Sequence, residues 1–300
     1  MSDNKELKGM FVINAYLKSK KFDELYEMIE KAAIDNNISL TLFSNADLPV
    51  SNFDESVNEL STNYDFVIFW DKDILLAKYL EAHNMKVINS SNSIEICDDK
   101  AKTHFELLKA GIICPKTIVA PMTYDNIGYT NFDFLNNVAN LLKFPVVVKE
   151  RQGSFGMQVY LANDMDELKE LVVKHGHNKL IFQEFIKTDN NSDIRVNMVG
   201  DKVCTAMKRT AADNDFRSNI TNGGTMEKYS VTPQEELICK QVMAALKLDY
   251  AGIDLLKDTT GKVYVCEVNS NAHFKNIYDC TKVNCADILM KYIIKKAGDK

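Results

Sequence analysis

Apolar runs separated by amphipathic stretches set the pattern of residues 1–92. Gly9 to Asn14, Ser39 to Phe43, Tyr64 to Trp70 and Met85 to Asn89 are short, strongly apolar segments of strand type. Lys21 to Asn36 and about Lys72 to His83 carry the helical period between them. Strands alternating with helices predict a parallel sheet with helices on both faces. Ligand crevices in such sheets open at the C-terminal ends of the strands, so the Trp70-Asp71-Lys72 turn is expected to face one. Trp70 reads equally well as a core aromatic.

Downstream, helical segments alternate with strand–turn–strand patterns. Helices are predicted over Asp98–Ala110, closed by Gly111 with Pro115 beyond it, and over Phe132–Leu142, Met165–Lys174, Pro233–Leu246 and Cys285–Lys296. Asn163 or Asp164 would cap the third of these, and Thr232 the fourth, with Pro233 in its first turn. Between the helices lie hairpin patterns. Phe144–Lys149 and Gln158–Leu161 flank a glycine loop. Ser192–Val199 and Lys202–Arg209 flank Gly200-Asp201, and Ala251–Leu256 and Val263–Asn269 flank Asp258-Thr259-Thr260-Gly261.

The last hairpin carries the most pointed chemistry. Side chains alternate along a strand, so Glu267 and Asn269 share a face. A tight hairpin sets Asp254 opposite Val265 or close to Glu267 on that same face. Three oxygen donors then converge, as a hard divalent cation bridging to phosphates requires. The glycine loop, Gly153-Ser154-Phe155-Gly156, follows the strand ending in Lys149 and leads into another strand. It is therefore neither a Walker loop nor a Rossmann fingerprint, both of which open a helix. Such a hairpin can still close over phosphates with its backbone N–H groups, Lys149 supplying a point charge. Alone it reads as a surface hairpin. Lys179–Ile186 is a strand ending in a polar–aromatic step that could hold an adenine, or simply a core strand. Arg195, Lys208 and Arg209 lie on the next hairpin, and Asp215-Phe216-Arg217-Ser218-Asn219 before Gly223-Gly224 has the make-up of an anion-binding loop.

In this order the segments resemble the ATP-grasp superfamily, and within it the RimK-like carboxylate–amine ligases that include a glutamate ligase. The motifs that carry the resemblance are Asp99-Lys100, Val147-Val148-Lys149, Gln183 to Ile186, Asp193-Ile194-Arg195, Asp215 to Asn219 with Gly223-Gly224, Ala251 to Asp254, and Glu267-Val268-Asn269. The resemblance implies an α/β chain, α+β within the grasp. A small parallel-sheet domain, 1–92, would precede an ATP-grasp domain, 93–300, with lobes 93–183 and 184–300. It implies ATP and two Mg²⁺ as cofactors, with Mn²⁺ able to substitute. Lys100, Lys149, Gly153, Ser154 and Gly156 would contact the nucleotide, Glu184 and Phe185 hold adenine, and Asp193 sit near the ribose. Arg217, Ser218 and Asn219 would approach the phosphates, and Asp254, Glu267 and Asn269 hold the metal. Arg209 and Arg217 would serve catalysis, with Arg195 supporting Arg209. Activity would be amide formation through an acyl phosphate, joining an amino acid such as glutamate to a carboxylate-bearing peptide, protein or small molecule. A grasp-type phosphotransferase and a non-catalytic nucleotide binder are the alternatives. A homo-oligomer is open, since relatives form dimers or tetramers. One departure stands out. Where the family has a small residue, proline and glycine after the metal-binding asparagine, this chain reads Ser270-Asn271-Ala272-His273-Phe274-Lys275-Asn276. His273 there could be a general base, a substrate contact, or a loop residue packing or capping the next helix.

Composition adds exclusions. A net charge of −6 and a pI near 5.5 argue against general nucleic-acid binding. Hydrophobic content of 46% is ordinary for a globular chain, and no apolar run is long enough to span a membrane. The N-terminus is polar and unlike a signal peptide, and the seven cysteines form no C-x-x-C pair. Scattered thiols point to the cytoplasm.

Overall fold

A computed structural model describes residues 6–53, 56–124, 126–153, 156–212 and 223–298. Ser154, Arg217, Ser218 and Asn219 lie outside them.

The N-terminal block builds β1 (Leu7–Ile13), α1 (Lys20–Asp35), β2 (Ile38–Ser44), α2 (Ser56–Asn63), β3 (Phe66–Phe69), α3 (Ile74–Ala82) and β4 (Val87–Ile88). The strands form a parallel sheet in the order β2-β1-β3-β4, as the alternating pattern predicts. Val67 and Phe69 face one core with Leu76 and Leu80 of α3, while Phe66 and Ile68 face the other with Leu25 and Ile29 of α1. Continuous apolar strands are what a sheet covered on both faces requires.

Next come α4 (Ser91–Asp98), α5 (Lys100–Lys109), β5 (Thr117–Val119), α6 (Phe134–Leu142), β6 (Val146–Glu150), β7 (Val159–Ala162), α7 (Met165–His175) and β8 (Leu180–Glu184). α5 is the helix expected over Asp98–Ala110, starting at Lys100, and α4 is a further helix before it. The Asp99 carboxylate accepts from the Ala101 and Lys102 N–H groups, so it caps α5 rather than continuing α4. Lys100 becomes the first residue of α5. Asp164 caps α7. β5-β8-β6-β7 is an antiparallel sheet, with the glycine loop joining β6 to β7 as a hairpin.

The remainder comprises β9 (Ser192–Val199), β10 (Lys202–Thr210), β11 (Thr225–Tyr229), α8 (Pro233–Leu246), β12 (Tyr250–Lys257), β13 (Val263–Asn269), α9 (Lys275–Thr281) and α10 (Cys285–Gly298). The strands order as β11-β10-β9-β12-β13, all antiparallel. Thr232 and Glu235 cap α8 reciprocally, with Pro233 in its first turn.

The N-terminal sheet is joined to this last sheet by a shared core. Leu289, Met290 and Ile293 of α10 pack with Phe11, Leu25 and Ile29. Trp70 is buried and stacks on Tyr250 with centroids 5.0 Å apart, so the core reading of that tryptophan holds. Asn89, fully buried, donates to the Tyr250 and Ser270 carbonyls at 2.9 Å and accepts from the Asp249 N–H at 2.6 Å. This fixes the end of β4, β12 and the start of the loop after β13 against one another. Among the described residues no helix is long and apolar enough to cross a membrane.

Candidate active site

The β12–β13 hairpin places its acids directly across from one another. Asp254 pairs with Glu267 and Gly252 with Asn269, and a bulge follows Asp254, so that Leu255 pairs with Val265. The extra residue, Cys266, re-aims the strand at this point, as bulges do. Of the two registers the sequence allows, the chain takes the one with the carboxylates opposed. Gly252 is required here, because a Cβ would meet the Ala272 Cβ at 2.7 Å and the Arg195 side chain at 3.1 Å. The loop after β13 can therefore lie against β12.

Asp254 does not stand alone. β9 and β10 bring Arg195 opposite Asp254 and Arg209 opposite Asp193. Arg195 grips Asp254 with two donors, one of them Nη2 to Oδ2 at 2.7 Å. Arg209 grips Asp193 with two, Nε to Oδ1 at 2.7 Å, and reaches Asp254 Oδ1 at 2.9 Å. The result is a buried ladder of alternating charge, Asp193–Arg209–Asp254–Arg195. Burial raises the pKa of Asp254, but Arg195 and Arg209 outweigh it and hold the carboxyl below its ordinary range. Asp193, expected near a ribose, has its carboxylate on Arg209 and lines the first of the chambers described below. Arg195, expected to support Arg209, binds Asp254, the acid that Arg209 also reaches.

Two chambers meet at this ladder. The first has apolar walls of Val147, Val159, Phe185, Ile186 and Leu256. Lys149 lies in it, 7% exposed, its Nζ 3.6 Å from Cys266 Sγ. Lys100 Nζ donates to the Gly153 carbonyl at 3.3 Å and lies 3.9 Å from Glu267 Oε1. Burial, Lys149 and Lys72 lower the Lys100 pKa, while Glu267 opposes them. Glu184 and Phe185 both line the chamber, and the Glu184 carboxylate accepts from the Lys116 N–H at 2.8 Å. Gly156, at φ +71, borders both chambers. That conformation is one glycine adopts without strain.

Behind the lysines lies His104, which the sequence did not single out. Gln183 Nε2 faces its Nε2 at 2.8 Å, so the ring accepts there and carries its proton on Nδ1. Burial first, and Lys149 and Lys100 after it, push its pKa down to about 3. A lowered folded value means the unfolded chain takes up a proton first as pH falls. His104 thus contributes stability above its unfolded pKa that is lost below it. Between pH 7 and pH 4.5 the wild type is expected to lose about 2–3 kcal/mol more than His104→Asn, at 1.36 kcal/mol per pKa unit. Urea midpoints at the two pH values check this, and parallel losses would mean the histidine is not neutral in the fold.

The second chamber is polar. Lys21, Lys72, Asp98, Arg195, Asn271 and His273 are on its walls, and it shares Arg209, Asp254, Glu267 and Gly156 with the first. Lys72, on the turn expected to face a ligand crevice, lines this chamber, and its Nζ pairs with Asp98 at 2.6 Å. Lys21 carried no motif, and only the fold brings it here, whereas Asn271 belongs to the atypical loop after Asn269. His273 Nε2 lies 2.8 Å from the Lys21 carbonyl and its ring sits edge-on to Phe22. Burial lowers its pKa to about 4, which suits a neutral hydrogen-bonding group better than a general base.

Among the described residues no three His, Cys, Asp or Glu side chains gather as metal ligands. The candidate set is two carboxylates and an amide, Asp254, Glu267 and Asn269, on adjoining strand positions. That donor chemistry fits Mg²⁺, which takes oxygen ligands and completes its shell with water and phosphate. Glu267 is a third exposed and is the accessible member, whereas Asp254 is already engaged by both arginines.

Residues 97–293 match the model of the RimK-like ATP-grasp domain. The "uncharacterized protein MG012 homolog" of Mycoplasma pneumoniae is 32% identical over 270 residues, 89% of this chain and 92% of that one. The "probable alpha-L-glutamate ligase" of Legionella pneumophila is 30% identical over 251 residues, 83% and 78% of the two chains. The crystal structure of a RimK domain ATP-grasp protein from Sphaerobacter thermophilus superposes with a TM-score of 0.72 at 17% identity, covering 94% of this chain and 98% of that one. Opposed acids on a β-hairpin, a lysine-lined apolar chamber beneath a glycine hairpin and a matching model over most of the chain lead to one conclusion: this protein belongs to the RimK-like ATP-grasp family.

Proposed function

We propose that this protein is an ATP-dependent carboxylate–amine ligase that joins an amino acid to a carboxylate-bearing peptide, protein or small molecule. The observation that carries the reading is the meeting of two chambers of different chemistry at Arg209, Asp254 and Glu267. The apolar chamber suits a purine, with Lys149 and Lys100 on its phosphate side. The polar chamber, with Lys21, Lys72 and Arg195, suits carboxylates. The Legionella relative's description makes glutamate the first amino acid to try.

In this reading a substrate carboxylate oxygen attacks the γ-phosphorus, ADP leaves and an acyl phosphate forms. The amine nitrogen then attacks the acyl carbon, phosphate departs with its C–O bond, and the amine gives up a proton. Both reactants of the first step are anions. Arg209 at the junction and Lys149 and Lys100 beside it offset that repulsion, and do so more strongly away from water. Mg²⁺, held by Asp254, Glu267 and Asn269, would supply further charge neutralisation at the phosphates. The Gly153–Gly156 hairpin is the lid in this scheme, closing over the junction to exclude water. Residues 1–92 and 93–300 would then act as separate substrate-facing and nucleotide-holding units.

The experiment is ADP and phosphate release with Mg²⁺-ATP across a panel of amino acids and cell extract, with mass spectrometry of the products. Release stimulated by one amino acid, with a product heavier by that residue, is expected. A phosphorylated acceptor would replace the ligase reading with a phosphotransferase, and nucleotide binding with no release would leave a non-catalytic binder.

A further inference from the structure

Two consecutive acids stand where α4 gives way to α5, and each holds one of the two residues that lead into the glycine hairpin. Asp99 takes Arg151, with Nε to Oδ1 at 3.0 Å, and Asp98 takes Gln152, with Nε2 to Oδ2 at 3.0 Å. The Asp99 pair is framework. That carboxylate also caps α5, and the backbone around Arg151 is tied down on both sides, its carbonyl by the Lys100 N–H and its N–H by the Lys179 carbonyl, each at 2.9 Å. The Asp98 pair is different. Its other oxygen, Oδ1, accepts from Lys72 Nζ at 2.6 Å, and Lys72 lies on the turn after β3. Side chains 26 residues before Asp98 and 54 after it thus meet on one carboxylate.

Lys72 and Asp98 line the polar chamber, and Asp98 and Gln152 line a groove of their own, so Asp98 is the wall the two share. A lysine is a point charge on a flexible four-carbon stem, and fixing it in one place costs side-chain entropy. Asp98, steadied from behind by Gln152, fixes the Lys72 ammonium before any anion arrives. The other end of this line reaches the nucleotide side. Gly153 follows Gln152, and its carbonyl accepts from Lys100 Nζ at 3.3 Å, with Glu267 3.9 Å from the same ammonium. A phosphate that draws on Lys100 must shift its contact with Gly153, and Gln152 moves with Gly153. Coupling between sites travels through contiguous contacts of this kind.

We propose that Asp98 and Gln152 are positioning residues for the Lys72 ammonium, and that the line Lys100–Gly153–Gln152–Asp98–Lys72 carries nucleotide binding to the polar chamber, setting that ammonium for a carboxylate once the nucleotide is in place. This rests on the ligase reading, in which nucleotide and carboxylate occupy the two chambers. Gln152 and Asp98 act through Lys72, and coupling of this kind works in both directions.

The test is hydrogen–deuterium exchange, read by mass spectrometry on the full chain, with and without Mg²⁺ and a non-hydrolysable ATP analogue. In the wild type the analogue is expected to slow exchange over 147–150, beside the nucleotide, and by about fivefold or more over 70–75, outside the nucleotide chamber. Gln152→Leu is expected to bring the effect over 70–75 to within about twofold while 147–150 stays protected. Gln152→Arg, which keeps a donor for Asp98, is expected to retain it. Partly exposed pairs contribute little to stability, so both variants are expected to fold, and their melting curves check that. Exchange over 70–75 that ignores the bound analogue, slowing that Gln152→Leu retains, or slowing lost equally in both variants would overturn the relay and leave the ligase reading standing. An analogue that fails to bind the wild type would overturn both.

Discussion

Glu267→Gln is expected to lower ATP-dependent product formation by about a thousandfold or more while barely moving the melting temperature. The first half follows from charge. If Glu267 holds the metal at the transferring phosphate, losing its anion removes several kcal/mol of transition-state stabilisation, and each 1.36 kcal/mol is tenfold. The second half follows from its surroundings. Glu267 is a third exposed and its nearest cation, Lys100, stands 3.9 Å away. Pairs of that kind contribute about 0–1 kcal/mol. Asp254→Asn would look similar in an activity assay but means less. It takes away the anion that Arg195 and Arg209 share in the buried ladder, a loss on the order of 3–5 kcal/mol in stability. The sequence alone suggests that both substitutions spare the fold; the arginines beside Asp254 restrict that to Glu267. Initial rates of ADP release and calorimetry on the two variants check the contrast. Near wild-type turnover in Glu267→Gln would remove that residue from the metal set.

The elements that position the site were legible because their patterns are local. The N-terminal strands are apolar on both faces, α8 has a capping box with proline in its first turn, and the β12–β13 turn carries Asp258 and Gly261 in a tight hairpin. Short or weakly periodic elements escaped: α2, α4, β5, α9 and the β11 edge strand. α4 opens on Ser91-Asn92-Ser93, residues that favour caps and turns, so no helical period stands out there. The candidate ligands could be named, yet not their present partners. That Asp254 turns to Arg195 depends on β9 lying beside β12, a long-range fact, while Asp193 meets Arg209 across a hairpin whose register is shifted by an irregularity between Val203 and Thr205. The same holds for Lys21, whose place in the polar chamber comes from α1 packing beside the loop that carries His273.

Arg209→Met is expected to cost about 3–5 kcal/mol of stability at neutral pH, because it takes the guanidinium from two buried carboxylates, Asp193 and Asp254, and leaves Asp254 with Arg195 alone. The pH dependence has a definite sign. In the wild type Asp254 is held below its ordinary pKa, so its contribution is present above the unfolded value near 3.9 and fades as pH falls through the folded value. Without Arg209 that depression shrinks. The gap between wild type and variant should therefore be widest near neutrality and narrow below about pH 4. Adding Asp193→Asn removes the buried charge that Arg209 neutralised, and the double variant is expected to recover at least about 1 kcal/mol relative to Arg209→Met. Turnover should not return with it, since both chambers then lack the guanidinium at their junction. Urea unfolding at pH 7 and pH 4, run beside the product assay, separates the two roles. A double variant no more stable than Arg209→Met would show that the pair does not hold the sheet. Turnover surviving in either variant would show that the guanidinium is not where the anions meet.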